Sequence, residues 1–372
     1  MRLLTAMKAV LAPQGTTDAG LGARGVREQT MKRRMQSAAV LLALIAAGPV
    51  GASAPRTFVA TSGSDANASA NCAPASPCRT FAAALAVTAA GGEVIVVDSG
   101  GYGPFTITQS VSITVPQGVY AGIAVSSGTG ITIQTAGVSV TLRGLTINGT
   151  GGSVGIEYDA GTTLSLQGVT IAGFSSAGIN YLANASSNLL LVDSVIRDCA
   201  TGIHSIDAGW IEIVNTKFLG TQTGSAKSMA NGLVVGNSQG SGFYRVHVVD
   251  SIVNGGVSKG FVLTANSGLA DMVLTFERSV IEGTDYAFWS DGNAATSIFT
   301  IKNSVVSANT VGMYLASYSF GLLDHAQLVN NGTAIVAGTG FGALQGYVES
   351  AGNNTFSGNG SDGLAPIALP QM

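Results

Sequence analysis

The segments LRGLTIN (142–148), LQGVTIA (166–172) and LVDSVIR (191–197) are variants of one pattern that recurs along most of the chain. Each segment joins alternating apolar residues to a turn position and then to a second short apolar stretch. Alignment of the repeats places one apolar residue of each in a common column: Ile147, Ile171, Ile196, Phe218, Val253, Ile281, Val306 and Val329. Successive members of this column are 22 to 28 residues apart, with one longer interval of 35 residues.

Each repeat carries a second mark, in which glycine or alanine precedes an apolar residue. These marks lie at Gly155, Gly178, Gly202, Gly232, Gly260, Ala287, Gly312 and Ala334. Alternation with a period of two residues in short segments indicates β-strands. A repeat of two or three such strands cannot bury its apolar face alone, so successive repeats must stack. The sequence therefore predicts an all-β solenoid, a parallel β-helix of roughly ten coils over residues 93–360, followed by a tail at 361–372.

The N-terminal region has the features of a secretory signal. Residues 31–54, MKRRMQSAAVLLALIAAGPVGASA, join a basic start to a short apolar run and then to small residues. Because the apolar run is shorter than the roughly 20 residues of a membrane span, we expect cleavage near Ala52 or Ala54, with Ala52 favoured. An uncleaved membrane anchor is the alternative. Residues 1–30 are interpreted as an upstream extension. The prediction is an exported bacterial protein, periplasmic or extracellular, with no integral membrane span after cleavage.

The net charge of the chain disfavours some classes of binding partner. The full chain has 17 Lys and Arg against 20 Asp and Glu, a net charge of −3. Beyond Ala54 the sequence holds 10 basic and 18 acidic residues, so the mature chain carries −8. An acidic surface argues against nucleic acid and anionic lipid as partners, since phosphate binding needs clustered Lys and Arg. It also disfavours a cleft for strongly acidic polymers.

A segment at 55–92 precedes the repeats and is predicted to cap them. Cys72 and Cys78 lie in a Pro-containing loop, and oxidising conditions outside the cytoplasm would allow a local disulfide between them. Cys199 is expected to pack inward as a small apolar side chain, with a reactive thiol as the alternative. The Ala-rich stretch Arg79–Gly92 predicts a short capping helix that ends at a glycine pair.

The order of these segments resembles a known family. FVATSGSDAN (58–67), PCRTFAAAL (77–85) and GGEVIVVDSGGYGPFTITQSVSI (91–113), followed by the repeats, look like the pectin-lyase-like right-handed parallel β-helix superfamily, with repeats of its carbohydrate-binding and sugar-hydrolase type. The resemblance covers residues 57–360 and implies a right-handed coil. It is specific for fold and weak for activity, because members include pectate lyases, polygalacturonases, alginate epimerases, tailspikes and adhesins.

The catalytic motifs of these enzymes are largely missing. Polygalacturonases resemble one another in Asn-Thr-Asp, Asp-Asp and Gly-His-Gly segments, and the nearest match here is Asn215-Thr216-Lys217, which lacks the acid. The Asp-Pro-His signature of alginate epimerases is also absent. Pectate lyases need several carboxylates to hold calcium. We therefore expect no cofactor and no metal site, with calcium relevant only if the protein is a lyase.

The repeat alignment predicts which outward side chains are neighbours, because residues in one column of adjacent coils lie about 4.8 Å apart. Trp210 and Glu212 should lie beside Arg245 and His247. The four could form a sugar site, in which Trp210 stacks on a ring, Arg245 binds substrate, and Glu212 or His247 moves a proton. The alternative is a surface ion pair of Glu212 with Arg245 or His247 beside a partly covered tryptophan.

A second outward column contains Glu157, Asn180 and His204, and further along it contains Trp289 and Tyr314, which are candidate substrate-binding residues. Glu157, the nearby Asp159 and His204 could bind a metal, but a metal site needs three or four ligands in fixed geometry, so a solvated polar face is the default.

Other polar residues are interpreted as structural. Asp250 with Arg278, and Glu277 with Lys302, should form charge pairs between coils. A Ser or Thr recurs in most of the repeats, and we call it the repeat mark. Four short polar residues directly precede this mark at a predicted recurring bend: Asp193, Asn215, Asp250 and Asn303. The 35-residue interval contains TQTGSAKSMANG (221–232), which predicts a loop protruding from one coil.

Three functions fit the sequence. The first is a non-catalytic exported β-helix that binds a glycan or cell-surface material along one face of the solenoid, favoured by low charge and missing enzyme motifs. The second is a polysaccharide lyase or glycoside hydrolase with an atypical site at Glu212 and His247. The third is an adhesin or structural surface protein.

Overall fold

The computed structural model describes residues 53–184, 186–206, 209–237, 243–265, 271–291, 296–338 and 346–369. The predicted upstream extension (1–30), the proposed signal peptide up to residue 52 and the favoured cleavage site lie outside these residues. Within the described ranges, no helix is both long and apolar enough to cross a membrane.

Three parallel sheets form the solenoid of the described chain. Sheet 1 has 13 strands: Ala54–Val59, Thr88–Val96, Val111–Thr114, Ser139–Arg143, Thr163–Gln167, Asn188–Val192, Trp210–Val214, Tyr244–Val249, Met272–Glu277, Ser297–Lys302, Ser319–Asp324, Tyr347–Ser350 and Ile367–Ala368. Sheet 2 has 11 strands: Gly100–Gly101, Ala121–Val125, Leu145–Gly149, Thr170–Ala172, Val195–Arg197, Lys217–Leu219, Ile252–Val253, Val280–Glu282, Val305–Ser307, Gln327–Val329 and Thr355–Ser357. Sheet 3 also has 11 strands: Phe105–Ile107, Thr129–Gln134, Val154–Ala160, Ala177–Tyr181, Thr201–Ile206, Met229–Asn237, Val257–Ala265, Tyr286–Ser290, Val311–Leu315, Thr333–Ala337 and Ser361–Gly363.

In most coils the chain runs through sheet 1, sheet 2 and sheet 3 in turn, and each strand pairs in parallel with its counterparts in the neighbouring coils. The predicted all-β parallel β-helix is confirmed. One boundary differs from the prediction: Ser361–Gly363 and Ile367–Ala368 continue the stack past residue 360, because they pair with strands of the preceding coil.

The predicted apolar column is present inside the stack, with one error. Ile147, Ile171 and Ile196 pair in register and are fully buried. At the last repeat, Leu328 rather than Val329 pairs with Val306. The alignment of this repeat was wrong by one residue, because His325, with φ of 50°, occupies the turn position that Asp or Asn occupies in other repeats.

The bend before the repeat mark is left-handed. Asp193, Asn215, Asp250 and Asn303 have φ between 46° and 52°. Asn and Asp tolerate this conformation better than other residues with a Cβ atom. The structural interpretation of these four residues is therefore confirmed, and Arg278 takes the same conformation in its coil.

A ladder of buried hydroxyl groups follows the bend. Ser279 Oγ donates to the Glu277 carbonyl at 2.7 Å and accepts from the Ser251 amide at 2.9 Å. Ser304 Oγ repeats the arrangement one coil further on, accepting from the Ser279 amide at 3.1 Å. Each hydroxyl thus satisfies a buried backbone group of the preceding coil, which explains why Ser or Thr recurs at this position.

The glycine mark reflects the close approach of successive coils in sheet 3. A Cβ atom on Gly155 would lie 2.5 Å from the Gly178 carbonyl oxygen, and one on Gly178 would lie 2.8 Å from the Gly202 oxygen. Because real Cβ contacts are longer, glycine allows the backbones of successive coils to approach this closely. Among the predicted marks, the buried Ala287 and Ala334 are the only residues larger than glycine.

The N-terminal end carries the predicted cap. An α-helix spans Phe81–Val87, with its N-terminus capped by the Thr80 side chain. The predicted helix to Gly92 is too long, because Thr88 begins a strand that pairs with Ala54–Val59. Cys72 and Cys78 form a disulfide, and Cys199 is free and buried, as expected.

The long interval forms the predicted protrusion. Gln222–Thr223 and Ala226–Lys227 pair as a short antiparallel hairpin between sheets 2 and 3. Lys227 fixes it to later coils: Nζ donates to the Gly283 carbonyl at 2.9 Å and lies 3.0 Å from Asp285 Oδ1.

The hydroxyl ladder predicts a specific loss of stability. Ser279→Ala leaves the buried Ser251 amide without its acceptor, so we expect the free energy of unfolding to fall by about 1–3 kcal/mol. Urea denaturation followed by circular dichroism measures it. Ser307→Ala is the matched control, because the Ser307 hydroxyl is only half-buried and forms no hydrogen bond within the described residues. Equal unfolding midpoints for the two variants would refute the role of the ladder.

Candidate functional site

The predicted neighbours on the outer face of sheet 1 are in place. Trp210 pairs in register with Arg245, and Glu212 with His247. Strand alternation explains their direction, since Ile211 and Ile213 between them are buried in the core. The structure therefore brings the four residues together, whereas their proposed roles remain predictions.

Trp210, Arg245 and His247 line an open groove of about 470 Å³, whereas Glu212 is not one of its lining residues. Its walls comprise Trp210, Phe243, Arg245, Val246, His247, Val273, Thr275, Glu277 and Lys302. A smaller cavity of about 250 Å³ continues from Trp210 and Phe243 towards Asn188 and Gly209. The exposed fractions of Trp210 and Phe243 are 44% and 53%, large values for aromatic side chains. The groove thus offers two open aromatic surfaces surrounded by polar groups.

Phe243 was not predicted from the sequence. It precedes the strand Tyr244–Val249, so it falls outside the alternation that identified Arg245 and His247. The guanidinium carbon of Arg245 lies 4.8 Å from the centre of the Phe243 ring, a cation–π contact that orients both side chains.

The carboxylate partner of His247 is Glu277, not Glu212. His247 Nε2 lies 3.7 Å from Glu277 Oε2. Within the described residues, Glu212 forms no ion pair with Arg245 or His247. Register alone would favour Glu212, which pairs with His247. The Glu277 side chain, in register with Val249, instead reaches along the face to the imidazole. The alternative interpretation, an ion pair of Glu212 with Arg245 or His247, is therefore not supported by the part of the chain that the structure describes.

Arg278 holds Glu277 in position. Its Nη1 lies 2.6 Å from Glu277 Oε1, while its Nε and Nη2 bind the two oxygens of Asp250 at 2.9 and 3.1 Å. These hydrogen bonds hold the pKa of Asp250 below its usual value. The predicted Asp250–Arg278 pair is confirmed. Lys302 is in register with Glu277, but the ion pairs of Glu277 go to Arg278 and His247.

The second aromatic pair, on sheet 3, is arranged differently. Trp289 and Tyr314 are in register, and their rings stack 4.2 Å apart at an angle of 12°. Lys259 Nζ lies 4.3 Å from the Trp289 ring centre, and Tyr286 packs edge-on at 4.6 Å. Contacts with Lys259, Tyr286 and Tyr314 thus surround Trp289, so it is less suited to stacking on a sugar than Trp210.

The polar column of sheet 3 forms a hydrogen-bonded row. Asn180 Nδ2 donates to Glu157 Oε1 at 2.7 Å, and His204 Nδ1 donates to Asn180 Oδ1 at 2.9 Å, because an amide oxygen can only accept. Burial raises the pKa of Glu157, which Asp159 raises further, and burial lowers the pKa of His204. Both shifts favour neutral side chains. Among the described residues, no group of three or more His, Cys, Asp or Glu side chains could hold a metal ion.

Comparisons with known proteins concern the fold. The family described as "Right handed beta helix region" matches residues 87–244. No curated protein sequence matches the chain. Two solved structures are similar: pectate lyase Pel9A, at 14% identity and a TM-score of 0.44, and a rhamnogalacturonan lyase, at 12% and 0.35. The first likeness covers 86% of this chain and 80% of the lyase, and the second covers 84% and 89%.

The matched region contains strands of all three sheets. With the parallel stacking described above, the family match supports a right-handed β-helix. The predicted right-handed parallel β-helix fold thus agrees with the family match over residues 87–244 and with the parallel sheets.

The two tryptophans of the chain provide a direct test of this geometry. Trp289→Phe leaves Trp210 as the single tryptophan, and Trp210→Phe leaves Trp289. We expect acrylamide to quench the first variant several-fold more strongly, because Trp210 is open whereas Trp289 is packed among three side chains. Acrylamide is neutral, so Lys259 does not bias the comparison. Equal quenching constants would show that the two environments are alike.

Proposed function

We propose that this chain is an exported β-helix protein that binds a glycan, or glycan-bearing cell-surface material, without catalysis, through the groove on sheet 1. The observation that carries the proposal is the exposure of Trp210 and Phe243 at a groove lined by polar side chains. Neighbouring exposed apolar side chains rimmed by polar groups are typical of ligand-binding grooves.

The chemistry of the groove suits a carbohydrate. The apolar face of a sugar ring can pack on an aromatic ring, while its hydroxyl groups need donors and acceptors around the edge. Here Trp210 and Phe243 supply the rings. Arg245, His247 and Thr275 supply hydrogen-bonding groups on neighbouring strands, held by the sheet and not by a flexible loop.

Export is proposed on two grounds. The signal-like segment at 31–54 is one. The disulfide between Cys72 and Cys78 is the other, because such bonds persist in oxidising compartments.

Trp210→Ala tests the binding function. We expect the variant to lose about tenfold in affinity for a bound polysaccharide, equivalent to about 1.4 kcal/mol, because the stacking surface is removed. Affinity electrophoresis of the folded, mature chain against a panel of polysaccharides measures it. Tyr120→Ala is the matched control, since Tyr120 is 49% exposed but lies outside the groove. Equal losses in both variants, or no binding to any polysaccharide, would contradict the proposal.

A catalytic alternative is favoured by one observation, the His247–Glu277 pair facing the groove. A histidine oriented by a carboxylate can transfer protons. If the protein cleaves a polymer, Glu277→Gln should lower the rate of depolymerisation more than Glu212→Gln, because among the described carboxylates Glu277 is the one that forms an ion pair with His247. Polymer size followed over time, with and without calcium, measures this. No shortening of any polymer by the unaltered chain would eliminate the alternative.

A further inference from the structure

We propose that the outer face of sheet 1 carries a second sugar-binding subsite at Phe320 and Tyr347, and that the ligand is an extended polysaccharide lying across the strands, along the stack. This inference rests on the proposed glycan-binding function and deepens it, because it adds the length and direction of the ligand. It is carried by the position of these two aromatic rings relative to Trp210.

The exposed aromatic side chains are concentrated on this face. Among the described residues, four aromatic side chains are strongly exposed: Tyr120, Trp210, Phe243 and Tyr347. All but Tyr120 lie on or beside the outer face of sheet 1. The Tyr347 ring, 37% exposed, packs against the half-buried Phe320 with ring centres 4.5 Å apart. Sheet 1 therefore presents a second aromatic surface, separate from the one at Trp210.

One outward column of sheet 1 joins the two aromatic surfaces. In register from strand to strand, it contains Trp210, Arg245, Val273, Ile298, Phe320 and Tyr347. Because neighbouring strands lie about 4.8 Å apart, Phe320 and Tyr347 are roughly 19 and 24 Å from Trp210 along the stack. In the opposite direction the column is polar, with Asn188, Thr163 and Ser139. The mainly apolar path thus leaves Trp210 on one side, towards Tyr347.

The groove already crosses the strands in this direction. Its lining residues come from four successive strands of sheet 1, from Trp210 on the first to Lys302 on the fourth. Val273 lines the groove and belongs to the column, and Ile298 continues the column beyond it. A glycan that follows the column from Trp210 across these strands therefore meets Phe320 on the next strand.

The second subsite has the same chemical character as the first. The Phe320 and Tyr347 rings can pack on the apolar face of a sugar. Glu349 lies on the same side of the strand as Tyr347, because Val348 between them is fully buried, and its carboxylate can accept hydrogen bonds from sugar hydroxyl groups. A chain held at one subsite binds the other intramolecularly, which strengthens the binding of long ligands and not of short ones.

The experiment compares long and short ligands on the folded, mature chain. The polymers are hydroxyethyl cellulose, galactomannan, xylan and polygalacturonate, measured by affinity electrophoresis. The matching disaccharides are cellobiose, mannobiose, xylobiose and digalacturonate, measured by calorimetry. Tyr347→Ala and Phe320→Ala each remove a ring, whereas Tyr347→Phe keeps it. Tyr120→Ala is the control, since Tyr120 is exposed but lies outside the column, and circular dichroism verifies that every variant is folded.

We expect Tyr347→Ala and Phe320→Ala to weaken binding of the polymer about fivefold and to leave disaccharide binding unchanged, because a short ligand cannot reach both subsites. Tyr347→Phe and Tyr120→Ala should bind the polymer as the unaltered chain does.

Two results would overturn the second subsite while leaving glycan binding at the groove intact. One is a loss of polymer affinity in Trp210→Ala with no loss in Tyr347→Ala or Phe320→Ala. The other is an equal loss of polymer and disaccharide affinity in Tyr347→Ala, which would mean that Tyr347 acts on the shape of the groove. Failure of the unaltered chain to bind any polymer would instead refute the proposed function and this inference together.

Discussion

Each coil of this protein can bury its short apolar strands only by hydrogen bonding, in parallel and in register, to the coils on either side. That constraint fixes the inner and outer surfaces together. Inside, it places like residues on top of each other, so the hydroxyl of Ser279 meets the amide of Ser251 and the carbonyl of Glu277. Outside, it sets Trp210 against Arg245 and Glu212 against His247. The candidate groove is a product of the same register that builds the core.

The register also explains how far sequence could predict the site. Trp210 and Arg245 are 35 residues apart, yet the repeat marks on either side were sufficient to align them. Prediction failed where the marks were weak: at the last repeat, alanine replaces serine and His325 occupies the bend, so Val329 was chosen instead of Leu328. The repeat period predicts the position of a residue within its strand. This prediction is accurate only where the Ser or Thr of the repeat can be recognised.

Side-chain partners were harder to predict than strand neighbours. Register placed Glu277 beside Lys302, but the carboxylate turns to Arg278 and His247, because a long side chain can reach along the strand as well as across it. Trp289 and Tyr314 were correctly aligned, whereas the contacts of Lys259 and Tyr286 with the indole depend on rotamers that no alignment reports. Phe243 lies just before its strand, where no alternation exists to reveal it.

The hairpin at Gln222–Lys227 shows where this architecture accepts extra chain. The strands before and after it keep their pairing, Phe218 with Val253 in sheet 2 and Met229 with Val257 in sheet 3. The added residues therefore leave both registers unchanged, and Lys227 secures them against later coils. The turn between sheets 2 and 3 therefore tolerates an insertion. A new segment grafted at this turn would change the surface of the protein without changing the sequence of the stacked core.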